Sequence, residues 1–304
     1  MNFPIVKVTT QDDYPLHGLF CEPKVKTESI IIHLHGSAGN FYQSTFYPYL
    51  FNLAKDLNIA FLSTNGRGSD VYDIETGTKY TGGAIEIFEE CLFDIDAWIE
   101  FVFSKGYKNI ILEGHSFGTN KIQYYALNGK HKSKIKALIL LGFTDSYGGQ
   151  LEYLKKNNKD NEDTLREAEK LILQNKPFQL LSDLYINWGE LPQTAQSYKS
   201  FMTPDSALSN ILPLGQDKAF TNFRKLTIPI LGVVGDTEEC TIISPKKAVD
   251  RLNKENKNAE CCMIEDCNHS YLGKEAELIN IIRGFLKRHQ LNSPEGRENR
   301  ARKK

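Results

Sequence analysis

A serine lies between two glycines in the stretch NIILEGHSFGTNKIQYYAL, residues 109–127. Gly114, Ser116 and Gly118 have the spacing G-x-S-x-G, which describes a nucleophile elbow when it follows a buried strand. The elbow holds the serine in strained backbone angles, so that its hydroxyl stands above the sheet. The two glycines let the neighbouring strand and helix pass closely. The stretch therefore predicts a strand, a tight corner and a helix, with Ser116 as a nucleophile.

A serine hydroxyl is a poor nucleophile near neutral pH, so it needs a base and a group that orients the base. Asp236 comes just after the apolar run in LGVVGDTEE, and His269 follows the next such run in IEDCNHSYLG. In an open parallel sheet, residues beyond the carboxyl ends of different strands converge on one edge. We therefore predict that Ser116, His269 as base and Asp236 as acid meet there.

The orienting carboxylate has alternatives. Asp145 follows the preceding apolar run, and Glu238 and Glu239 lie two and three positions beyond Asp236. Position at the end of the strand favours Asp236, and the other three stay open.

The seven histidines provide a check on the base. Only His269 has the placement that a catalytic base needs. His33 and His35 alternate along one predicted strand and could form a metal pair, but no further ligand pattern follows them. His115 lies inside the elbow and is expected to pack sideways. No metal site is predicted.

The tetrahedral oxygen of an acyl transfer needs amide donors that are in place before it forms. One predicted donor is the backbone N–H of Phe117, directly after the nucleophile. The second is the backbone N–H of Ser37 in HGSAG, residues 35–39. This loop could be a turn that only connects two elements, but two glycines directly after a strand favour close approach to a ligand.

Apolar runs alternate with helical patterns along most of the chain. Buried strands are predicted at the runs 29–36, 109–113, 136–143, 228–236 and 259–266. Helices are predicted around 84–106, 244–256 and 275–290, of which the first is the longest. This alternation predicts an α/β fold with a mostly parallel central sheet and helices on both sides.

Residues 146–221 interrupt the alternation, because they are charged, helical in pattern and without a strong strand. They predict a helical cap inserted in a core of residues 1–145 and 222–290, with one long crossover connection as the alternative. Residues 291–304 are polar and basic and predict a disordered tail. Within the cap, Trp188, Tyr185 and Phe178 either line an apolar pocket or pack the cap onto the core.

Two charged features precede the elbow. Arg67, in the turn NGRG, either contacts a substrate carboxylate or ties two loops together. Glu86, Glu89 and Glu90 are expected on the solvated or loop-binding face of the long helix.

Bulk composition excludes several classes of protein. Lys and Arg number 37 and Asp and Glu 38, so no strong field favours nucleic acid or an anionic membrane. No apolar run approaches the roughly 20 residues of a membrane helix, and the first residues do not have the pattern of a secretory signal. The six cysteines form no paired framework. They are expected to be reduced thiols of a cytoplasmic protein.

Taken together, SIIIHLHGSAG, GHSFG, GDTEEC and CNHSYLG resemble the α/β-hydrolase superfamily. The resemblance covers nearly all of residues 1–290 apart from the predicted cap, whose position looks like that in cinnamoyl and feruloyl esterases. It implies a serine hydrolase with Ser116 as nucleophile, Asp236 as acid and His269 as base, in that chain order.

The activity implied is cleavage of a carboxylic ester or thioester of a small molecule through an acyl-serine intermediate, with no cofactor. An acyltransferase or biosynthetic thioesterase, and an amidase or peptidase, are alternatives that would use the same three residues. The acyl group, the leaving group and the oligomeric state are not encoded in any of these patterns.

Overall fold

The computed structural model describes residues 4–74, 80–216, 218–237 and 240–291. Its main sheet has eight strands in the order β1-β2-β4-β3-β7-β8-β9-β10. The pairs β1–β2 and β2–β4 are antiparallel, and all other neighbours are parallel. The strands are β1 (Ile5–Thr9), β2 (Pro15–Cys21), β3 (Ser29–Leu34), β4 (Ala60–Thr64), β7 (Asn109–His115), β8 (Ile135–Leu141), β9 (Ile230–Gly235) and β10 (Ala259–Ile264), while β5 (Asp73–Ile74) and β6 (Tyr80–Thr81) form a separate ribbon.

Helices cover both faces of this sheet. They are α1 (Tyr47–Asp56), α2 (Cys91–Ser104), α3 (Phe117–Asn128), α4 (Ser146–Lys156), α5 (Asn161–Leu173), α6 (Ala195–Met202), α7 (Thr221–Arg224), α8 (Pro245–Glu255) and α9 (Glu275–Arg288). One buried apolar layer includes α1 and α9, and the other includes α2, α3 and α8. The inner strands are apolar on both faces, as expected for a parallel sheet between two helical layers. Within the described residues, every helix is too short or too polar to cross a lipid bilayer.

The long helix predicted from Ala84 onward begins only at Cys91, so its predicted start is wrong. The carbonyl of Ala84 accepts a hydrogen bond from the N–H of Thr194 (2.8 Å). The N–H of Phe88, which would bond that carbonyl in a helix, donates instead to Ser200 Oγ (3.1 Å). Tertiary partners thus replace the first helical hydrogen bonds, and apolar periodicity alone could not reveal them.

The segment 146–221 lies between β8 and β9 and contains α4, α5 and α6. None of its described residues joins the main sheet. Its aromatic contact with the core includes Phe201, whose ring centroid lies 5.3 Å from that of Phe117. The division into a core and an inserted cap stays a prediction. Of the predicted tail, residues 292–304 lie outside the described residues.

Candidate active site

Ser116 occupies the corner between β7 and α3. Its backbone angles are φ 54° and ψ −125°, in the left-handed half of conformational space that a side chain disfavours. The corner is fixed from both sides, because the N–H of Ser116 donates to Leu141 O (2.8 Å) and its carbonyl accepts from Thr119 N (2.9 Å). The strained serine that the sequence predicts at this turn therefore has the backbone of a nucleophile elbow.

Close backbone contacts explain the glycines around Ser116. A Cβ at Gly118 would lie 2.5 Å from the carbonyl oxygen of Leu34, and one at Gly114 would lie 2.5 Å from the backbone of Gly118. A Cβ at Gly36 would lie 2.9 Å from the Cβ of Ser116. The turn after β3 therefore packs directly on Ser116.

This turn presents Ser37 to the cavity that also contains Ser116. His35 supports it from behind: its Nε2 accepts from Gly66 N (3.1 Å), and its Nδ1 therefore carries the proton and donates to Gly36 O (2.7 Å). Burial is the main cause that lowers the pKa of His35 to about 3, so the ring stays neutral. The other predicted donor, the N–H of Phe117, belongs to the first residue of α3 and has no acceptor within the helix.

His269 lies in the loop after β10 and lines the same cavity as Ser116. Its ring centroid is 4.8 Å from that of His115, the residue before Ser116. His115 Nε2 also hydrogen-bonds to the backbone oxygen of His269 (2.9 Å). Burial is the main cause that lowers the pKa of His115 to about 3. His115 is thus a neutral donor that joins the loop of His269 to the elbow, and does not simply pack sideways.

The loop of Asp236 is fastened to the loop of His269. Asp236 Oδ1 accepts from Cys267 N (3.0 Å), and Asp236 N and Thr237 N both donate to Cys267 O. Hydrogen bonds from the backbone N–H groups of Cys267 and Asp266 lower the pKa of the Asp236 carboxyl, which is therefore ionised near neutral pH. These bonds fasten Asp236 to Cys267, which precedes His269 by two residues in the same loop.

Asp145, an alternative acid, is fully engaged elsewhere. Its Oδ1 caps α4 by accepting from Gly148 N (2.8 Å), and its Oδ2 accepts from Gly215 N (2.9 Å). It is 2% exposed and, like Asp236, it is not among the residues that line the cavity of Ser116. The other two alternatives, Glu238 and Glu239, lie outside the described residues.

The shared cavity has a volume of about 510 Å³. Apart from the serine corner, the turn after β3 and His269, most of the residues that line it have polar side chains; these further lining residues are Asn40, Gln43, Ser44, Thr45, Tyr47, Thr144, Ser146, Asn187, Trp188, Glu190, Leu191, Cys240 and Ser270. Of the three aromatic residues considered for an apolar pocket, Trp188 lines it. Tyr185 and Phe178 do not line it and are 64% and 61% exposed.

Sequence reasoning missed most of this lining. Thr144 and Ser146 follow β8 at the edge where the other site residues lie, so the strand-end argument could have found them. Asn187 and Glu190 lie in an irregular turn of the 146–221 segment, where no periodicity marks an inward position.

A chain of buried hydrogen bonds runs from the centre of the sheet to the cavity wall. Glu113 Oε1 lies 2.8 Å from His33 Nδ1, and His33 Nε2 lies 3.0 Å from the hydroxyl of Tyr47, which donates to Asn40 O. Burial raises the pKa of Glu113 to about 8 and lowers the pKa of His33 to about 3. Both groups are then neutral, so Glu113 donates to His33 and His33 donates to Tyr47. Within the described residues, no cluster of His, Cys, Asp and Glu has the arrangement of a metal site.

This pair predicts how stability depends on pH. The ordinary pKa values are 4.5 for Glu113 and 6.5 for His33, and between them both the folded and the unfolded pair hold one proton. Above pH 6.5 the unfolded pair releases its proton while the folded pair keeps it to about pH 8. The free energy of unfolding should therefore fall by about 1.4 kcal/mol per pH unit, or ~2 kcal/mol over this window. Below pH 4.5 the unfolded pair takes up a second proton, and stability falls again.

Urea unfolding of the wild type and of Glu113→Gln, at about pH 5.5 and about pH 8, checks this expectation. The glutamine amide can still donate to His33 Nδ1 but cannot ionise. The variant should therefore lose the alkaline decrease that this pair contributes. An equal decrease in both proteins would show that Glu113 is not protonated in the folded state.

Arg67 ties loops together, which is one of its two predicted roles. Its Nε and Nη2 donate to Asp94 Oδ1 (3.0 and 2.8 Å), and its Nη1 donates to Asp12 (2.9 Å) and Glu90 (2.5 Å). Its side chain is 2% exposed. The expectation of a solvated face is wrong for Glu86, which is 3% exposed and forms a buried ion pair with Lys121.

The strand order, the helices on both faces and the serine corner define one class of fold, the α/β-hydrolase fold, as the sequence resemblance predicted. Solved structures with this architecture superpose on nearly the whole chain. A ferulic acid complex of Est1E from Butyrivibrio proteoclasticus has a TM-score of 0.67 at 17% identity and covers 93% of this chain and 98% of its own. The α/β hydrolase GrgF from Penicillium sp. sh18 has a TM-score of 0.68 at 15% identity and covers 95% and 99%. A variant of monoglyceride lipase from Saccharomyces cerevisiae has a TM-score of 0.63 at 16% identity and covers 95% and 96%.

Sequence comparison gives a weaker likeness. No family model matches the chain. A curated protein named proline iminopeptidase PfmaB, from Pestalotiopsis fici, is 26% identical over 276 residues, which are 85% of this chain and 92% of that protein. These likenesses establish the fold, and the chemistry depends on the site itself.

Proposed function

We propose that this protein is a serine hydrolase that cleaves a carboxylic ester or thioester of a small molecule. The observation that carries the proposal is the left-handed backbone of Ser116 at a strand-to-helix corner, in a cavity that His269 also lines. A serine held in that conformation is costly, and such strain persists where the surrounding structure over-determines it. The esterases and the lipase among the structural neighbours agree with this proposal.

The reaction proceeds in two steps. His269 takes the proton of Ser116 Oγ as this oxygen attacks the carbonyl carbon, and the tetrahedral oxyanion accepts hydrogen bonds from the N–H groups of Ser37 and Phe117. The intermediate collapses, and the leaving alcohol or thiol receives the proton from His269. A water molecule, deprotonated by His269, then attacks the acyl-serine and releases the carboxylic acid. Asp236 orients His269 and stabilises its protonated form.

Two other uses of the same residues remain alternatives. Transfer of the acyl group to an alcohol or amine would make the protein an acyltransferase. Cleavage of an amide would make it an amidase or peptidase, for which the name of the Pestalotiopsis fici relative is the specific support. In either case the same acyl-serine forms at Ser116. We also propose that the protein acts in the cytoplasm, on a small molecule, and without a cofactor.

Labelling with a fluorophosphonate, followed by a substrate panel, tests the proposal. We expect the probe to form an adduct that mass spectrometry locates on Ser116, and we expect none in Ser116→Ala. Ser104→Ala, which changes an exposed serine at the C-terminal end of α2 that does not line the cavity, is the control and should be labelled like the wild type. Ester, thioester and amide substrates with one common acyl group then rank the three bonds. An adduct that persists in Ser116→Ala would contradict the proposed nucleophile.

A further inference from the structure

One wall of the cavity presents hydrogen-bond acceptors. Thr144 and Ser146 both line it, and their hydroxyl oxygens lie 2.7 Å apart. Each hydroxyl also lies within hydrogen-bond distance of Asn120 Oδ1, at 3.1 Å from Thr144 and 2.7 Å from Ser146. The Nδ2 of Asn120 donates to Thr144 O, which fixes the orientation of this amide. When both hydroxyl protons bond within the trio, the two hydroxyl oxygens present only lone pairs to a ligand.

Asn187 continues this wall from the 146–221 segment. It is 7% exposed, and its backbone N–H and carbonyl both bond to Leu191. Its side-chain amide forms no hydrogen bond with any residue that the structure describes. It lines the main cavity and also a small adjoining one, which Ser37, Phe117 and Ser146 line as well. Its amide is open to these cavities, so both its oxygen and its N–H groups are available to a ligand.

Glu190 adds a negative charge to the same wall. Over the described part of the chain it is the one carboxylate that lines the cavity, and no lysine or arginine does so. Its carboxylate forms no ion pair or hydrogen bond with the described residues. Thr144, Ser146, Asn187 and Glu190, hereafter the acceptor wall, therefore combine hydroxyl oxygens, an amide that is open to the cavity and one exposed carboxylate without a cationic partner among the described residues.

The turn that carries Asn187 and Glu190 is held in place before any ligand binds. Gln150, on α4, accepts from Trp188 N (2.9 Å) and donates to Ile186 O (2.6 Å). Trp188 has φ 57°, and its indole packs against Gly149, where a side chain would collide with the ring. A preorganised wall loses less entropy on binding, so its contacts contribute more to affinity and selectivity.

We propose that the acceptor wall binds a protonated amine of the substrate and so selects cationic acyl compounds over neutral and anionic ones. An ammonium group offers three donors and no acceptor, which matches the hydroxyl oxygens, the amide oxygen of Asn187 and the carboxylate of Glu190. Glu190 compensates its charge, whereas a substrate carboxylate in the same place would face Glu190 and the oxygen lone pairs. This inference rests on the proposed function for the reaction itself, but the binding preference can be measured without turnover.

Methyl esters that differ in a single terminal group test the preference. One set consists of the methyl esters of β-alanine, butyric acid and succinic acid, and a second set of those of alanine, isobutyric acid and methylmalonic acid. In at least one set, kcat/KM for the amine should exceed that for both others by about tenfold or more, as expected for a charge-assisted hydrogen bond. Glu190→Gln should reduce this ratio to about twofold or less. Glu152→Gln, on the exposed face of α4, is the matched control and should keep the ratio.

Calorimetric titration of Ser116→Ala with the same esters separates the subsite from the chemistry. The amine ester should bind at least about tenfold more tightly than its two analogues, and the further change Glu190→Gln should remove the difference. This result would support the amine subsite even if no ester were hydrolysed. The absence of hydrolysis would count against the proposed function but not against the subsite. Hydrolysis or binding without preference for the amine, or a preference that survives Glu190→Gln, would overturn the inference.

Discussion

His269→Gln is expected to lower kcat for the best ester of the panel by about 10⁴–10⁶, with little change in KM. The glutamine keeps a polar side chain of similar size in the loop after β10, but it cannot accept the proton of Ser116. The variant should fold normally, because the loop remains joined to the elbow through the bond between His115 and the backbone oxygen of residue 269. Steady-state kinetics and a thermal unfolding curve of the same preparation measure both properties.

The double variant Ser116→Ala/His269→Gln gives a sharper result. Nucleophile and base act as one unit, so the double variant should be no slower than the slower single variant. His131→Gln is a matched control, since this histidine lies in a surface turn and pairs with Glu100. Losses that multiply in the double variant would mean that His269 and Ser116 act independently, which would contradict the proposed mechanism.

Four variants, each of which replaces one carboxylate with the corresponding amide, identify the carboxylate that orients His269. Asp236→Asn should reduce kcat by about 10⁴, because an amide cannot hold the imidazole in its correct tautomer. Asp145→Asn should mainly reduce stability, since its carboxylate accepts from Gly148 and Gly215 and not from the base. If Glu238→Gln or Glu239→Gln caused the larger loss of kcat instead, the acid would lie in the loop beyond Asp236.

The sheet was predictable because its inner strands are apolar on both faces. The runs around Ile31, Leu112, Leu140 and Val233 contain too few polar residues for a surface strand, and they separate helices, so a parallel sheet follows from the sequence. The start of α2 was not predictable. The apolar residues after Ala84 continue the helical period, but their backbone bonds to the 146–221 segment, and such partners leave no signal in a single sequence.

The candidate site residues that follow strands were predictable from the same parallel sheet. The residues that form the other walls of the cavity were not. Ser37, Ser116 and His269 each follow a parallel strand, and the topology brings them to one edge. Asn187 and Glu190 belong to a turn that lines the cavity. Hydrogen bonds to Gln150 and the packing of Trp188 against Gly149 fix the conformation of this turn. That arrangement depends on contacts between distant residues, so this wall of the cavity is encoded where sequence patterns are least informative.

Arg67→Met is expected to lower the free energy of unfolding by about 3–5 kcal/mol. The guanidinium is buried and connects β1–β2 to the start of α2, and its removal leaves Asp94, with a side chain 5% exposed, without its cation. Asp12 and Glu90 would then repel each other and Asp94 across the vacated space. Breaking a buried pair from one side costs more than the pair contributes, because the remaining charge stays desolvated.

Two companion variants make this prediction specific. Arg67→Lys keeps the charge but cannot donate to three carboxylates at once, so its loss should lie between that of Arg67→Met and zero. Arg224→Met, which removes a surface ion pair with Glu255, should cost less than about 1 kcal/mol. Denaturant titration at one pH compares all three. A contrary result would be an Arg67→Met variant that is as stable as the wild type but has a raised KM only for esters that carry a carboxylate. Arg67 would then bind substrate, and other contacts would hold the loops around it.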